Sequence, residues 1–120
     1  MTLRSGTVAR RRALFDEANE IIEREYAEPI ELDDVARRLA TSRRQLQRAF
    51  TEAAGVSFRT HVARVRMRHA LEMLREGTLP VRDVANAVGY RQPAQFAKTF
   101  RRHHGAPPSS FRGPGSGSLV

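Results

Sequence analysis

Cysteine is absent from this chain of 120 residues. Its absence excludes a disulfide framework, a thiolate metal site and a cysteine nucleophile. No apolar run approaches the ~20 residues that span a bilayer, and the N-terminus has no apolar core of the kind found in signal peptides. These absences lead us to expect a soluble, cytoplasmic protein with no membrane partner.

Motifs that carry catalytic or metal chemistry are also missing. No carboxylate stands at ligand spacing beside the His103–His104 pair, and the metalloprotease pattern of two histidines and a glutamate does not occur. There is no Gly-rich phosphate loop and no set of nucleophile, base and acid. The sequence therefore predicts neither a catalytic site nor a cofactor.

Charge is abundant and unevenly placed. The net charge is +8, yet nine of the thirteen acidic residues lie between Asp16 and Asp34, while residues 35–120 carry 16 basic and four acidic residues. Twenty of the 21 basic residues are arginine, which suits bidentate contacts with phosphate and guanine. Such polarity would steer the later part of the chain toward a polyanion. Composition alone leaves nucleic-acid binding and a solvated basic surface as equal alternatives.

Apolar residues recur at helical spacing, and no segment alternates as a strand does. Ser42 is a good N-cap, Pro93 suits the first position of a helix, and Gly55, Gly77 and Gly105 are helix stops. The pattern predicts an all-α protein with helices over residues 8–26, 32–39, 43–54, 58–75, 81–88 and 93–104, and one last turn at 109–112.

The chain contains an internal repeat. Asp34-Val35-Ala36 matches Asp83-Val84-Ala85 at an offset of 49. After one extra residue in the second turn, Phe50 matches Phe100 at an offset of 50. Each copy has two helices joined by a short turn, and the second helix is basic, which is the helix-turn-helix pattern. The organisation predicted is a flexible N-terminus (1–7), a first motif (8–56), a linker helix (57–77), a second motif (78–112) and a flexible tail (113–120).

The length of the linker helix favours binding as a monomer. Eighteen residues at ~1.5 Å each span about 27 Å, and recognition elements on one face of B-DNA lie about one turn, ~34 Å, apart. A single chain could therefore place both motifs on DNA.

The second copy closely resembles the signature of the AraC/XylS family of bacterial transcription regulators, and the first copy resembles it more loosely. The residues that carry the resemblance are Asp83-Val84-Ala85, Val88-Gly89-Tyr90, Phe96, Phe100, Gly105, Pro108 and Phe111-Arg112, with Leu32, Val35-Ala36, Leu46-Gln47-Arg48, Phe50, Gly55, Arg66-Met67 and Ala70-Leu71 before them. The resemblance implies seven helices in two homeodomain-like three-helix subdomains. It also implies sequence-specific binding of double-stranded promoter or operator DNA, with the third and sixth helices in successive major grooves. Activation through RNA polymerase is a further implication, and the acidic segment Asp16–Asp34 is one candidate surface for that contact.

Helical facing and the family pattern together indicate the residues that contact DNA. For base edges these are Arg44, Gln47 and Arg48 in the first motif and Gln95 and Lys98 in the second, because arginine pairs with guanine and glutamine with adenine. For phosphates they are Ser42, Arg43, Arg91, Gln92 and Arg102. Ala94 and Ala97 have no donors, so we expect the first motif to specify sequence and the second mainly to anchor. The alternative for every residue of this set is a solvated helix face.

The spacing of Tyr90, Phe96, Phe100 and Phe111 turns them inward, so they are predicted to be core residues.

Two other functional classes stay open from the sequence. They are a non-specific architectural DNA-binding protein and a basic protein-interaction module. Some members of the family couple this domain to DNA alkylation repair. That chemistry needs a cysteine as the acceptor, and this chain has none. The chain is either a stand-alone regulator, which Met1 favours, or the DNA-binding end of a longer effector-responsive one.

Overall fold

The structure is a computed structural model that describes the backbone of residues 2–113 and the side chains of residues 6–113. Within this range the chain forms six α-helices, one 3-10 turn and no strand, so the predicted all-α class is confirmed. The helices are α1 (Thr2–Glu25), α2 (Leu32–Arg38), α3 (Arg43–Ala54), α4 (Phe58–Glu76), α5 (Val81–Ala87) and α6 (Pro93–His104), and the 3-10 turn is Pro108–Phe111. That turn stands where the seventh helix is expected.

The two ends of the described chain differ from the expectations, and several helix ends differ by one residue. Helix α1 begins at Thr2, although residues 1–7 are expected to be flexible. The weakest helix former in that stretch is Gly6, which costs about 1 kcal/mol relative to alanine, and no proline interrupts it. At the other end, Gly113 donates its backbone N–H to the Leu74 carbonyl at 2.8 Å, so this residue of the expected tail is held against the end of α4. The rest of that tail, 114–120, lies outside the described residues.

The chain divides into two compact units with the boundary between Val62 and Ala63, which falls within α4. In the first unit α1 packs on α3, and Phe50 of α3 lies at the centre of an aromatic cluster. Its ring centroid is 5.0 Å from Phe15, 5.3 Å from Phe58 and 5.4 Å from His61. The His61 Nε2 lies 2.7 Å from the Asn19 Oδ1, so the polar edge of this cluster is satisfied where it approaches the surface.

The second unit has a matching cluster around Phe100 of α6. Its ring centroid is 5.8 Å from Phe96, 5.5 Å from Phe111 and 4.5 Å from His104. Phe96 and Phe100 are fully buried, and Tyr90 packs on Phe96 at 5.7 Å. The prediction that these aromatic residues belong to the core is therefore confirmed, with Tyr90 and Phe111 at its half-exposed edge.

The repeat read from the sequence is also a repeat of structure. Helices α2 and α5 have seven residues each at an offset of 49, and α3 and α6 have twelve each at an offset of 50. The glycines that end the longer pair, Gly55 and Gly105, both have left-handed backbones, with φ of 71° and 84°. Each unit thus presents one short helix, one turn and one longer helix.

Candidate nucleic-acid interface

The turn of the first motif joins α2 to α3 and fixes the direction in which α3 leaves it. The Thr41 N–H donates to the Ala36 carbonyl at 2.9 Å, and the Ala40 N–H donates to the Arg37 carbonyl at 3.1 Å. This pair of bonds closes the C-terminus of α2 as a Schellman motif, which needs a left-handed residue just after the helix. Here that residue is Ala40, with φ of 54°.

The turn of the second motif has the same hydrogen bonds at an offset of 49. The Tyr90 N–H donates to the Ala85 carbonyl at 2.9 Å, and the Gly89 N–H donates to the Asn86 carbonyl at 3.1 Å. The left-handed residue is Gly89, with φ of 99°. Glycine takes this conformation without steric cost, whereas alanine does not, so the two turns share a geometry but not its strain.

Helix α3 begins at the predicted N-cap. The Ser42 Oγ accepts the Gln45 N–H at 3.1 Å, which leaves the hydroxyl hydrogen free to donate elsewhere. Leu46, Ala49 and Phe50 are buried. The 3.6-residue period therefore turns the intervening residues outward, and Arg44, Gln47 and Arg48 are all exposed.

Helix α6 is the more basic of the two. It carries Lys98, Arg101 and Arg102 and no acidic residue, with Phe96 and Phe100 on its buried side. Its N-cap, Gln92, makes no side-chain bond to the helix. Burial lowers the pKa of His103 below its ordinary value, and the nearby His104, Arg64 and Arg102 lower it further, so this imidazole is mainly neutral at neutral pH.

Several arginine side chains near the first motif already have acidic partners. Arg43 forms an ion pair with Asp33 at 2.8 Å, and Arg37 forms one with Asp34 at 2.8 Å. Arg38 holds both oxygens of Glu25 at 2.8 and 2.7 Å. The bond from Arg38 lowers the pKa of Glu25. These pairs neutralise part of the acidic segment 16–34 and tie α2 to the end of α1.

The residues predicted to contact DNA fall into two groups. All ten lie on α3, on α6 or in the residues just before these helices, and all are exposed. Ser42 caps α3 and Arg43 is paired with Asp33, so these two already have local roles. The other eight have no ion pair or side-chain hydrogen bond within the described part of the chain: Arg44, Gln47, Arg48, Arg91, Gln92, Gln95, Lys98 and Arg102.

The structure adds neighbours that the sequence did not single out. Gln45 is exposed on α3 at the position equivalent to Gln95, and its Oε1 accepts the Thr41 hydroxyl at 2.8 Å. The 50-residue offset was a signal for it. Arg11 of α1 forms an ion pair with Glu52 of α3, a contact across 41 residues that no local pattern announces. Arg101 is exposed on α6 as well.

No helix in the described range is long and apolar enough to cross a membrane. The same residues contain no group of three or more histidine, aspartate or glutamate side chains that could hold a metal ion.

The family model of the helix-turn-helix domain matches residues 35–113, which covers the turn of the first motif and all of the second. A transcriptional regulator of Chromobacterium violaceum, described by its AraC-type DNA-binding domain, superposes with a TM-score of 0.81 at 27% identity, over 87% of this chain and 93% of that one. The chain belongs to the AraC-type helix-turn-helix family. The resemblance seen in the sequence is thereby confirmed.

Two further relatives bear on function. The DNA-binding domain of AdpA, a global transcriptional factor solved in complex with a target DNA, is 26% identical, with a TM-score of 0.76 over 82% of this chain and 88% of that one. The Msm operon regulatory protein of Streptococcus mutans is 28% identical over 84% of this chain. The chain spans about a third of the length of several curated relatives, at 36%, 30% and 38% of three of them.

Proposed function

We propose that this chain binds double-stranded DNA sequence-specifically as the DNA-binding part of a transcription regulator, with α3 and α6 as its recognition helices. The observation that carries the proposal is the repeated motif. In both copies a hydrogen-bonded turn presents a twelve-residue helix whose outer face is basic, exposed and largely free of internal partners. The AdpA domain supports it, since that relative was solved on its target DNA.

The outer face of α3 has the chemistry for direct base readout. Arg44 and Arg48 offer forked donors that fit guanine O6 and N7, and Gln47 offers the donor and acceptor that fit adenine. The guanidinium groups need not leave an internal ion pair to bind. Ser42 and Arg43, at the start of α3, are proposed to contact phosphate, which helix N-termini favour.

The outer face of α6 has fewer groups that could distinguish bases. We propose that Gln95 and Lys98 contact base edges while Arg91, Gln92 and Arg102 contact phosphates. Ala94 and Ala97 stand where α3 has Arg44 and Gln47. We therefore expect Arg44→Ala to change base preference more than Gln95→Ala does, and equal effects would refute this division of roles.

Two further features belong to the proposal. Because one chain carries both motifs, we propose that it binds its site as a monomer. As a DNA-binding protein it is proposed to lie in the cytoplasm, in association with the nucleoid. We also propose, from its membership of the family, that the regulator activates transcription by contacting RNA polymerase. The candidates for the contact surface are Glu17 and Glu20, which are exposed on α1.

Selection of bound sites from a random duplex pool, at about physiological salt, tests the proposal. Two enriched elements about one helical turn apart would support two reading helices. A single element would support α3 as the reader and α6 as the anchor. Binding without enrichment would favour the alternative, a non-specific architectural protein with strong salt dependence, and absence of binding would refute DNA as the partner.

A further inference from the structure

A carboxylate stands on the outer face of the first recognition helix. Glu52 is the only acidic residue of α3, and it lies one helical turn after Arg48, at the spacing where side chains on a helix meet. The equivalent residue of α6 is Arg102. The first motif therefore has a negative group at a place where the second has a positive one.

The structure gives this carboxylate a distant partner. The Arg11 Nη1 of α1 binds the Glu52 Oε1, and the two side chains are 23% and 41% exposed. Arg11, Arg48 and Glu52 line one shallow concavity together with Thr7 and Val8. Arg48 thus lies next to the ion pair without taking part in it.

An unpartnered Glu52 would interfere with DNA contact in two ways. It could pair with Arg48 across one helical turn, and its charge would repel a phosphate brought close to α3. The ion pair with Arg11 removes both effects. An i, i+4 pair is worth little by itself, but it would compete directly with the contact that Arg48 makes to DNA.

We propose that Arg11 is a positioning residue for DNA recognition. By holding Glu52, it leaves the Arg48 guanidinium uncommitted and neutralises the carboxylate on α3. Arg11 itself does not need to touch DNA. The inference rests on the proposed function, because it assumes that Arg48 contacts DNA.

The test compares Arg11→Ala, Glu52→Gln and the double variant on two probes, the duplex selected by the wild-type chain and an unselected duplex of the same length. Arg11→Ala is expected to weaken binding to the selected duplex by about three- to tenfold, from one uncompensated charge near the helix. Glu52→Gln in the Arg11→Ala background is expected to restore the wild-type affinity. Arg11→Lys, which keeps the charge, is expected to retain most of it.

The salt dependence separates this role from a direct phosphate contact. If Arg11 bound a phosphate, the slope of log K against log salt would be shallower by about 0.9 in both Arg11→Ala and the double variant. The double variant would then bind more weakly than Glu52→Gln alone, which would overturn the proposal. An Arg11→Ala variant that binds like the wild type, while Arg48→Ala is impaired, would overturn it as well.

A measurement without DNA keeps the inference distinct from the proposed function. Arginine side-chain NMR should show that Arg11→Ala shifts the Arg48 Nε–H resonance, and that adding Glu52→Gln reverses this shift. Failure of the wild-type chain to select any site would refute the proposed function and leave this coupling measurable. If Arg48 is unaffected by Arg11→Ala, the coupling is absent and the positioning role is overturned.

Discussion

Ala40 has a left-handed backbone at a position where the second motif has glycine. Its φ is 54°, and the equivalent Gly89 has φ of 99°. A left-handed L-residue costs roughly 1–2 kcal/mol, while glycine adds roughly 0.5–1 kcal/mol of backbone entropy cost. We therefore predict that Ala40→Gly raises the free energy of unfolding of the first unit by about 0.5–1 kcal/mol. The substitution leaves both hydrogen bonds of the turn in place, since they are made by backbone atoms.

The reciprocal change provides the matched comparison. Gly89→Ala puts a side chain on the equivalent left-handed residue, so it should lower the free energy of unfolding by about 1 kcal/mol. Urea denaturation followed by circular dichroism measures both variants. The chain has two tyrosines and no tryptophan. Tyr26 lies in the first unit and Tyr90 in the second, so tyrosine fluorescence of Tyr26→Phe and Tyr90→Phe backgrounds reports the units separately. Destabilisation by Ala40→Gly, or a neutral Gly89→Ala, would refute the view that the turn backbone sets these energies.

Three more changes have expected outcomes. Asp33→Asn removes the carboxylate of the 2.8 Å ion pair that Arg43 must leave in order to contact phosphate. Titration of an unselected duplex should therefore show about two- to fivefold tighter binding, the range expected for loss of an exposed competing ion pair. Binding that is unchanged in both Asp33→Asn and Arg43→Ala would mean that Arg43 does not reach phosphate. Gly113→Ala would bring a Cβ to 1.8 Å from the Arg75 carbonyl oxygen, so the melting temperature should fall, whereas Gly6→Ala, with no atom within 4 Å, should not lower it. The pKa of His103 is lowered on folding, so the unfolded chain binds a proton at this imidazole more readily than the folded chain does. The free energy of unfolding should therefore decline as the pH falls through about 6.5. His103→Asn should flatten that decline in urea denaturation, and an unchanged pH profile would contradict this assignment.

Helix existence and order followed from the sequence because periodicity and caps are local signals. Ser42, Gly55 and Gly105 end or begin their helices where expected. The phase of α1 was predicted less well, because the apolar stripe expected from the sequence ran through Leu14, Ala18, Ile21, Ile22 and Tyr26 and left out Phe15. Packing against Phe50 decides it: Phe15 is buried and Leu14 only half-buried.

The exposure of the candidate residues was predictable from the sequence, but their internal partners were not. An exposed helical face can be read from spacing, and all ten proposed contact residues are exposed in the structure. The ion pairs of Arg11 with Glu52 and of Arg43 with Asp33 join residues 41 and 10 apart. Such pairs depend on how helices pack, and nothing in local composition distinguishes them from solvated charges.

The two copies differ on the outer faces of α3 and α6, where DNA is proposed to bind, and agree in the turns and in the core. The turn hydrogen bonds recur with partners at the same spacing, and Phe50 and Phe100 are both fully buried, because a helix presented at a fixed angle needs both. On the outer faces, Arg44 and Gln47 correspond to Ala94 and Ala97, while Arg48 corresponds to Lys98. A basic residue one turn into each helix therefore persists, and the hydrogen-bonding groups around it do not. That distribution fits two helices docked in the same way, of which α3 carries more of the sequence discrimination.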